Sequence, residues 1–206
     1  MQIMKINNMN NFSFQKRLIA NCAVLKEKQP EACKIYKMGA QDQDYFKNLF
    51  KEESWQDAYY LESIDAMMKY RTLGGRQIYS MEDSNDNCIA FCEVDHECID
   101  SDILEFIEVA PKIASSNGKR KTKYVGETLM SFLMKYALQN GKQMLAVDSP
   151  SERAEDFYLK NCGMSERTIL NRKDFVINEK GINKLLDKNL SHTGSKIEIK
   201  GAQWYI

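Results

Sequence analysis

The clearest pattern of apolar and polar positions in the chain is a helical one that begins at Val125. Apolar residues recur there at i, i+4, i+7, i+8, i+11 and i+12, as Val125, Leu129, Phe132, Leu133, Tyr136 and Ala137. Asn140-Gly141 follows this run, and a glycine just past the last periodic position is typical of a helix end. Further helical patterns predict helices over 42–51, 57–71, 152–161 and 179–189, with Ser151 as the cap of the third.

Apolar runs of the strand type lie between these helices. Three consecutive runs with short polar links predict an antiparallel meander over Gln77 to Glu82, Cys88 to Val94 and Ile103 to Val109. Arg17 to Lys26 and Cys33 to Met38 predict a hairpin, with Pro30 in the turn between them. Further strands are predicted over 144–147, 164–170 and 196–206.

The order of the predicted elements indicates an α+β fold. A strand, two helices, three strands, a helix, a strand, a helix and further strand do not make a doubly wound sheet. Residues 1–16 mix Asn, Met and Lys without a sustained period, and we expect a disordered lead there. Residues 17–206 are expected to form one domain, with a core over 34–170 and a C-terminal extension of helix and strand over 171–206.

Charge and composition narrow the classes of function. The chain has 206 residues, and its 29 basic and 29 acidic side chains cancel to a formal net charge of zero. A neutral protein lacks the positive field on which non-specific nucleic-acid binding depends, so we do not expect nucleic acid as a partner. No window reaches the roughly 18 consecutive apolar residues of a membrane-spanning helix, and the N-terminus has no apolar signal-peptide centre. We therefore expect no membrane partner and a cytoplasmic protein.

Metal chemistry has one candidate cluster. The six cysteines lie mostly inside apolar runs, as expected for reduced thiols. Cys88, Cys92, His96 and Cys98 offer zinc-ligand chemistry, and on one extended strand these even-numbered positions share a face. At ~3.3 Å per residue, however, Cys88 and Cys92 are about 13 Å apart, too far for one ion with sulfur ligands at ~2.3 Å. We therefore expect core thiols and no metal.

The most informative segment joins the third meander strand to the long helix. Gly126 lies in the first helical turn, where N–H groups lack an intrahelical acceptor and carry a positive partial charge. Glycine also lets a ligand approach the backbone closely. The preceding run Lys119 to Lys123 adds four positive charges. Such a run alone is typical of a solvated loop, but beside a glycine at a helix start it favours an anion site.

A second informative segment begins at Ala154. Ala154, Phe157 and Tyr158 share one face of the predicted helix. Core packing is enough to explain Phe157, whereas Tyr158 carries a hydroxyl that needs a partner when it is buried. Gly163 and Met164 follow the helix.

Together these two segments resemble the GNAT superfamily of N-acetyltransferases. Its first signature, a basic or Gln residue followed by x-x-G-x-G/A, matches Lys123 to Thr128, with Thr128 in place of the last small residue. Its later pattern, an Ala-x-x-Phe-Tyr helix that ends in a Gly-aromatic pair, matches 154–164, with Met164 in place of the aromatic. The resemblance covers roughly Lys34 to Leu170.

The resemblance implies a mixed, mostly antiparallel sheet flanked by helices, in which the third meander strand and strand 144–147 splay apart in a V. It implies acetyl-CoA as co-substrate and direct transfer of the acetyl group to a primary amine in a ternary complex. The open backbone of Ile107 to Val109 would bond to the pantetheine arm, and the N–H groups of Val125 to Thr128 would hold the pyrophosphate. The implied cofactor-binding residues are Ile107, Glu108, Val109, Lys123, Tyr124, Val125, Gly126, Glu127, Thr128, Ser151 and Tyr158.

The implied reaction needs groups that move protons. A lysine-type amine with a pKa of ~10.4 is only about one part in 2,500 deprotonated at pH 7. Glu105 and Glu108 are the carboxylates beside the slot that could take the proton, directly or through water, although a polar strand face explains each of them equally well. A backbone N–H near Val109 could stabilise the oxyanion. Tyr158 is expected to donate a hydrogen bond to the leaving thiolate, because full transfer from a phenol of pKa ~10 to a thiolate of pKa ~8.5 is uphill by about 2 kcal/mol.

The sequence also departs from the family pattern in three places. The loop from Pro111 to Lys123 is longer than usual, and Ser151 stands where the family often has Asn. The segment after Leu170 is interpreted as a helix that replaces a tight hairpin. The acceptor stays open between a small-molecule amine, a peptide N-terminus and a protein lysine.

Two other functions stay open as alternatives. One is a non-catalytic acyl-CoA-binding or protein-interaction module, because a fold does not fix a function. The other, a weaker option, is a nucleic-acid role for Lys119 to Lys123. The sequence also leaves open a homodimer.

Overall fold

The computed structural model describes residues 16–39, 42–49, 51–52, 55, 75–114, 121–147, 151–169 and 172–200. The predicted helix over 57–71 lies outside the described residues, as do residues 1–15 of the predicted lead and residues 201–206 of the predicted terminal strand. Lys119 and Arg120 of the basic run also lie outside them.

The described strands form one mixed sheet. Its strands are β1 (Arg17–Lys26), β2 (Gln29–Lys37), β3 (Arg76–Glu82), β4 (Cys88–Asp95), β5 (Ser101–Val109), β6 (Thr122–Lys123), β7 (Met144–Val147), β8 (Ser165–Ile169), β9 (Arg172–Asn178) and β10 (Glu198–Ile199). They lie in the order β10-β1-β2-β3-β4-β5-β7-β9-β8, and β6 also pairs with β1. Pairing is parallel between β5 and β7 and antiparallel between the other described neighbours. This arrangement confirms the predicted α+β class.

Helices cover both faces of the sheet. They are α1 (Gln43–Leu49), α2 (Pro111–Ala114), α3 (Val125–Gln139), α4 (Glu152–Asp156) and α5 (Glu179–Thr193), and a π-helical segment, Phe157–Asn161, continues α4. Helices α3 and α5 pack over one face, around a core that contains Leu129, Phe132 and Leu185. A second core lies on the other face, where the Phe91 ring is 5.7 Å from Phe46 of α1 and 5.0 Å from Trp55.

Most of the strongest predictions are confirmed. The three meander strands are β3, β4 and β5, and each lies within two residues of its predicted limits. The long helix begins at Val125 and ends at Gln139, with Asn140 as its C-cap, and Gly141 has a φ of 78°. The strand over 144–147 has its predicted bounds.

The first hairpin differs from its prediction at the turn. Glu27 and Lys28 form the turn alone, with φ values of 49° and 68°, so Pro30 lies in β2 opposite Leu25. Both central residues of a tight two-residue hairpin turn adopt positive φ. Pro30 is tolerated in the strand because β2 pairs with β3 only from Lys34 onward, and no ladder bond from its nitrogen is needed on that side.

Two other predictions are corrected. The segment from Pro111 to Thr122 is not a continuous loop, since α2 begins it and β6 ends it against β1. The prediction missed strand β9, which forms a hairpin with β8. Helix α5 follows this hairpin and does not replace it. Strand β6 is decided by its pairing with β1, and β9 by its pairing with β7 as well as with β8, which the pattern within one segment does not contain.

The cysteine cluster is divided by a β-bulge. Met81 pairs with Ala90 and Glu82 pairs with Cys88, so Ile89 is the extra residue and the alternation of faces reverses there. The expectation that Cys88 and Cys92 share a face is therefore wrong, and they lie in opposite cores. All six cysteines are unpaired, and burial raises the pKa of the Cys33 and Cys88 thiols to about 12. Among the described residues, no group of three or more His, Cys, Asp or Glu side chains is arranged to bind a metal ion.

Membrane insertion through a helix finds no support in the described part of the chain. None of the helices there combines the length and the apolar character that crossing a bilayer requires.

Candidate functional site

The sheet opens between β5 and β7. The two strands pair from Ser101 and Met144 as far as Leu104 and Val147, and β5 then continues to Val109. Its register with β4 shifts at the same point, because Glu93 pairs with Phe106 and Val94 with Leu104, which makes Glu105 a bulge. A bulge bends a strand and increases its twist, so β5 turns away from β7. The predicted V-shaped splay is confirmed.

The bulge also decides where the two candidate carboxylates lie. Beyond it, Phe106 packs into the α1-side core, while Ile107 and Val109 pack against the α3-side core. Glu108 is therefore directed to the same face as Phe106, because side chains alternate along a strand. Glu105 lies at the bulge, where its Oε1 is 3.4 Å from Nη2 of Arg76. The two candidates are thus in different surroundings.

A cleft of about 170 Å³ lies where the open part of β5 meets the start of α3. Val109 contributes the strand side of the cleft. The other lining residues are Ile113, Ala114, Thr122, Lys123, Tyr124, Val125, Gly126, Glu127, Phe157 and Asn161. The predicted cofactor residues Ile107, Glu108, Thr128, Ser151 and Tyr158 are not among the residues that line this cleft.

The start of α3 leaves backbone donors available at the cleft. The first backbone bond of the helix runs from the Thr128 N–H to the Tyr124 carbonyl, at 2.8 Å. The N–H groups of Val125 to Glu127 precede this ladder, and Tyr124 at the N-cap provides no side-chain cap. The amide of Thr128, which the prediction also assigned to the pyrophosphate, is used by the helix. Three amides at a helix N-terminus are a suitable site for an anion.

Tyr124 occupies an unusual backbone conformation at this helix start. Its φ of 64° and ψ of 20° lie in the left-handed region. A bulky residue in that region costs about 1–3 kcal/mol and persists only when the surrounding structure holds it there. The Tyr124 ring stacks on the His192 ring, with centroids 4.2 Å apart and planes 19° apart.

A side chain at Gly126 would be crowded by its neighbours. A Cβ atom at this position would lie 3.1 Å from two ring carbons of Phe157 and 3.6 Å from a methyl carbon of Val109. The ring of Phe157 therefore covers the first turn of α3 where a larger residue would carry its side chain. The sequence-based interpretation of Gly126 considered only the approach of a ligand.

Charges of both signs surround the amides. Lys123 is exposed on the rim of the cleft. The carboxylate of Glu127 lies in the first helical turn and accepts a 3.0 Å hydrogen bond from the Asn161 side-chain amide. Lys121, part of the predicted phosphate-binding run, is 80% exposed and lies 3.6 Å from Glu27 in the β1–β2 turn. The Lys121 ammonium thus faces Glu27, and Lys121 is not among the residues that line the cleft.

Tyr158 lies between the cleft residue Phe157 and the end of β7. Its side chain is 4% exposed, and its ring is 5.2 Å from Phe157 and 6.0 Å from Phe175. Phe175 pairs with Val147, the last residue of β7. The π-helical turn, closed by the Cys162 N–H on the Phe157 carbonyl at 3.0 Å, fixes the orientation of this segment.

The remaining sequence-based assignments have mixed outcomes. Ser151 stands at the N-cap of α4, but its side chain makes no capping hydrogen bond, so that part of the prediction is wrong. Ile113 and Asn161 were missed as cleft residues. Asn161 lies four residues after Phe157, and this helical spacing is the signal that could have identified it.

A wider, open depression of about 650 Å³ lies at the opposite end of α3. Two of its polar side chains are already engaged: the Lys142 ammonium donates to the His96 carbonyl at 3.1 Å, and the Asn178 side chain accepts from the Gly181 N–H. The cleft at Gly126 is therefore the better candidate site.

Comparison with solved structures places this geometry in a known fold. A putative acetyltransferase of the GNAT family from Desulfovibrio desulfuricans is 10% identical, with a TM-score of 0.52 over 71% of this chain and 98% of the other. A spermidine N-acetyltransferase, a SpeG chimera from Vibrio cholerae and hSSAT, is 17% identical. Its TM-score is 0.50 over 75% of this chain and 98% of the chimera. The chain has the GNAT fold.

An uncharacterized protein from Bacillus halodurans has the same architecture, at 11% identity and a TM-score of 0.58 over 86% of this chain and all of the other. No protein-family profile and no curated protein sequence matches the chain. At these identities the likeness concerns the fold. In this GNAT fold, β1, α5 and β10 lie outside the range of residues whose motifs resemble the family.

We expect Gly126→Ala to lower the free energy of unfolding by about 1–3 kcal/mol, because its methyl group meets the Phe157 ring in a closely packed turn. Chemical denaturation of the variant measures this loss. In a Phe157→Leu background, where the ring is gone, the same substitution should cost little. Equal losses in both backgrounds would show that Phe157 is not what excludes a side chain at this position.

Proposed function

We propose that this protein is an acetyl-CoA-dependent N-acetyltransferase that transfers the acetyl group to a primary amine by direct attack in a ternary complex. The observation that carries the proposal is that the open part of β5 and the cleft at the start of α3 meet at Val109. Val109 ends the open part of β5, and it also lines the cleft at the start of α3. A ligand with an anionic group at one end and an extended arm at the other fits such a site.

Binding in this proposal relies on the backbone. The amides of Val125 to Glu127 hold the diphosphate of acetyl-CoA, with Lys123 on the rim of the cleft. The pantetheine arm bonds to β5 over Ile107 to Val109, where β7 no longer pairs with the strand. Acetyl-CoA supplies the activated acetyl thioester. The carboxylate of Glu127 opposes the diphosphate charge, and its hydrogen bond from Asn161 moderates this repulsion.

Glu108 is the better-placed group to take the amine proton. It directly precedes Val109 in the open part of β5, and its side chain is on the opposite face of the strand from the Val109 side chain. Glu105 lies further back at the bulge, where its carboxylate faces the Arg76 guanidinium. We assign Glu108 as general base, acting directly or through a water molecule, and Glu105 as a partner of Arg76.

Tyr158 stabilises the leaving thiolate. Its ring packs against Phe157 of the cleft and against Phe175, which pairs with the end of β7, so it lies between the cleft and that strand end. From there the phenol donates a hydrogen bond to the thiolate as the bond to the acetyl carbon breaks.

The experiment that tests the function combines calorimetry and a thiol-release assay. We expect CoA to bind, and acetyl-CoA to release its thiol in the presence of at least one amine from a panel. The panel contains spermidine, on which the Vibrio cholerae protein is named to act, together with small monoamines, a peptide N-terminus and a peptide lysine. Binding without thiol release with any amine would favour the non-catalytic acyl-CoA-binding module.

Tyr158→Phe keeps the ring contacts and removes only the hydroxyl. We expect CoA affinity within twofold of the wild type and a kcat lower by roughly 10- to 100-fold, because a hydrogen bond to the leaving thiolate is lost. Tyr136→Phe, at the far end of α3, is the matched control. An unchanged kcat in Tyr158→Phe would remove this residue from the mechanism.

Glu108→Gln removes the proposed base while preserving the shape of the side chain. At pH 7 we expect kcat/KM for the amine to fall by roughly 100-fold, and the deficit to shrink toward pH 10, where more of the amine is already neutral. Glu105→Gln is the control and should change the rate by only a few fold. A deficit in Glu108→Gln that is constant across this pH range would contradict the assignment.

A further inference from the structure

Helix α5 lies beside α3, and three of its side chains reach the proposed diphosphate site. The His192 ring stacks on Tyr124 at 4.2 Å. The Asn189 side-chain amide donates to the Thr128 hydroxyl at 2.8 Å, and the Lys188 ammonium donates to the Asn161 carbonyl at 2.8 Å. These contacts come from one helix, at positions 188, 189 and 192, and all meet residues in or next to the cleft.

The contact through Asn189 is part of a buried polar network. Asn189 and Thr128 are 3% and 0% exposed, and the Thr128 hydroxyl also donates to the Ala23 carbonyl of β1 at 3.3 Å. The hydroxyl of Thr193 donates to the Asn189 carbonyl at 2.9 Å. This network fixes α5 against α3 and β1, and it gives a role to the threonine that stands where the family signature has a small residue.

The contact through His192 acts on the residue that starts α3. Tyr124 is left-handed, and its carbonyl accepts the first bond of the helix, from the Thr128 N–H. The direction of the three following amides therefore depends on the Tyr124 backbone. A stacked ring restricts the Tyr124 side chain and, with it, the range of backbone angles that Tyr124 samples.

We propose that His192 is a positioning residue for the diphosphate site. By stacking on Tyr124 it holds the left-handed start of α3, which directs the amides of Val125 to Glu127 into the cleft. The role in cofactor binding rests on the proposed function. The bracing of Tyr124 rests only on the contacts described.

Calorimetry with CoA and steady-state kinetics test the proposal on His192→Ala, His192→Phe and Asn183→Ala. His192→Ala should raise the Kd for CoA and the KM for acetyl-CoA about tenfold and leave kcat within twofold, because binding energy is lost equally from the ground and transition states. His192→Phe keeps a stacked ring and should stay within twofold of the wild type. Asn183→Ala, an exposed position on the same helix, is the matched control and should be unchanged.

A double-mutant cycle separates bracing from a general effect on stability. In a Tyr124→Gly background the left-handed conformation has no steric cost, so His192→Ala should change CoA affinity by less than twofold. A tenfold loss that persists in this background, an equal loss in His192→Phe, or wild-type affinity in His192→Ala would each overturn the proposal.

Amide hydrogen exchange in the absence of ligand keeps the bracing testable apart from the function. The Thr128 amide should exchange faster in His192→Ala than in the wild type and in His192→Phe, because its acceptor on Tyr124 is then less fixed. Unchanged exchange would overturn the bracing. Failure of the wild type to bind CoA would instead overturn the proposed function, and with it the cofactor role of His192.

Discussion

The divergence of β5 from β7 is the constraint on which the rest of the site depends. The bulge at Glu105 shifts the register of β5 with β4 at the point where the β5–β7 ladder ends. Strand β5 stays with β4, with which it pairs up to Ala90 and Val109, and it leaves β7 after Leu104. Residues on both faces of the free half of β5 are packed into cores, so the opening cannot close by a rotation of the strand.

The start of α3 turns this opening into a site with a preferred kind of ligand. An opening in a sheet exposes backbone groups of both signs, whereas the first turn of a helix presents only donors. The two features share Val109, so an extended ligand can satisfy the strand with one part and the helix with an anionic end. Because both contacts use the backbone, the arrangement places few demands on side-chain identity. Gly126 is the exception, because a side chain at this position would lie close to the ring of Phe157.

The proposed chemistry follows from how the carboxylates and the phenol are distributed around the opening. The bulge separates Glu105 and Glu108 into different surroundings, with Glu105 facing Arg76 and Glu108 on the α1-side face of the open part of β5. Tyr158 lies deeper, with its side chain 4% exposed beside Phe157 and Phe175. Helix α5, which has no counterpart among the family motifs of this sequence, supports the site from outside through Tyr124 and Thr128.

The sequence alone determined the elements whose patterns are local: the meander, the helix from Val125 and the glycine in its first turn. Periodicity and caps are short-range properties, and these elements agree with them. Only the tertiary structure decided which residues meet, because this depends on pairing between distant segments. It placed Pro30 in a strand, divided Cys88 from Cys92 by a bulge, separated Glu105 from Glu108 and brought His192 onto Tyr124. Pro30, Cys88 and Glu105 were placed by the register between paired strands, and His192 by a ring contact with a residue far away in the chain. The apolar and polar pattern within one segment encodes neither the register nor that contact.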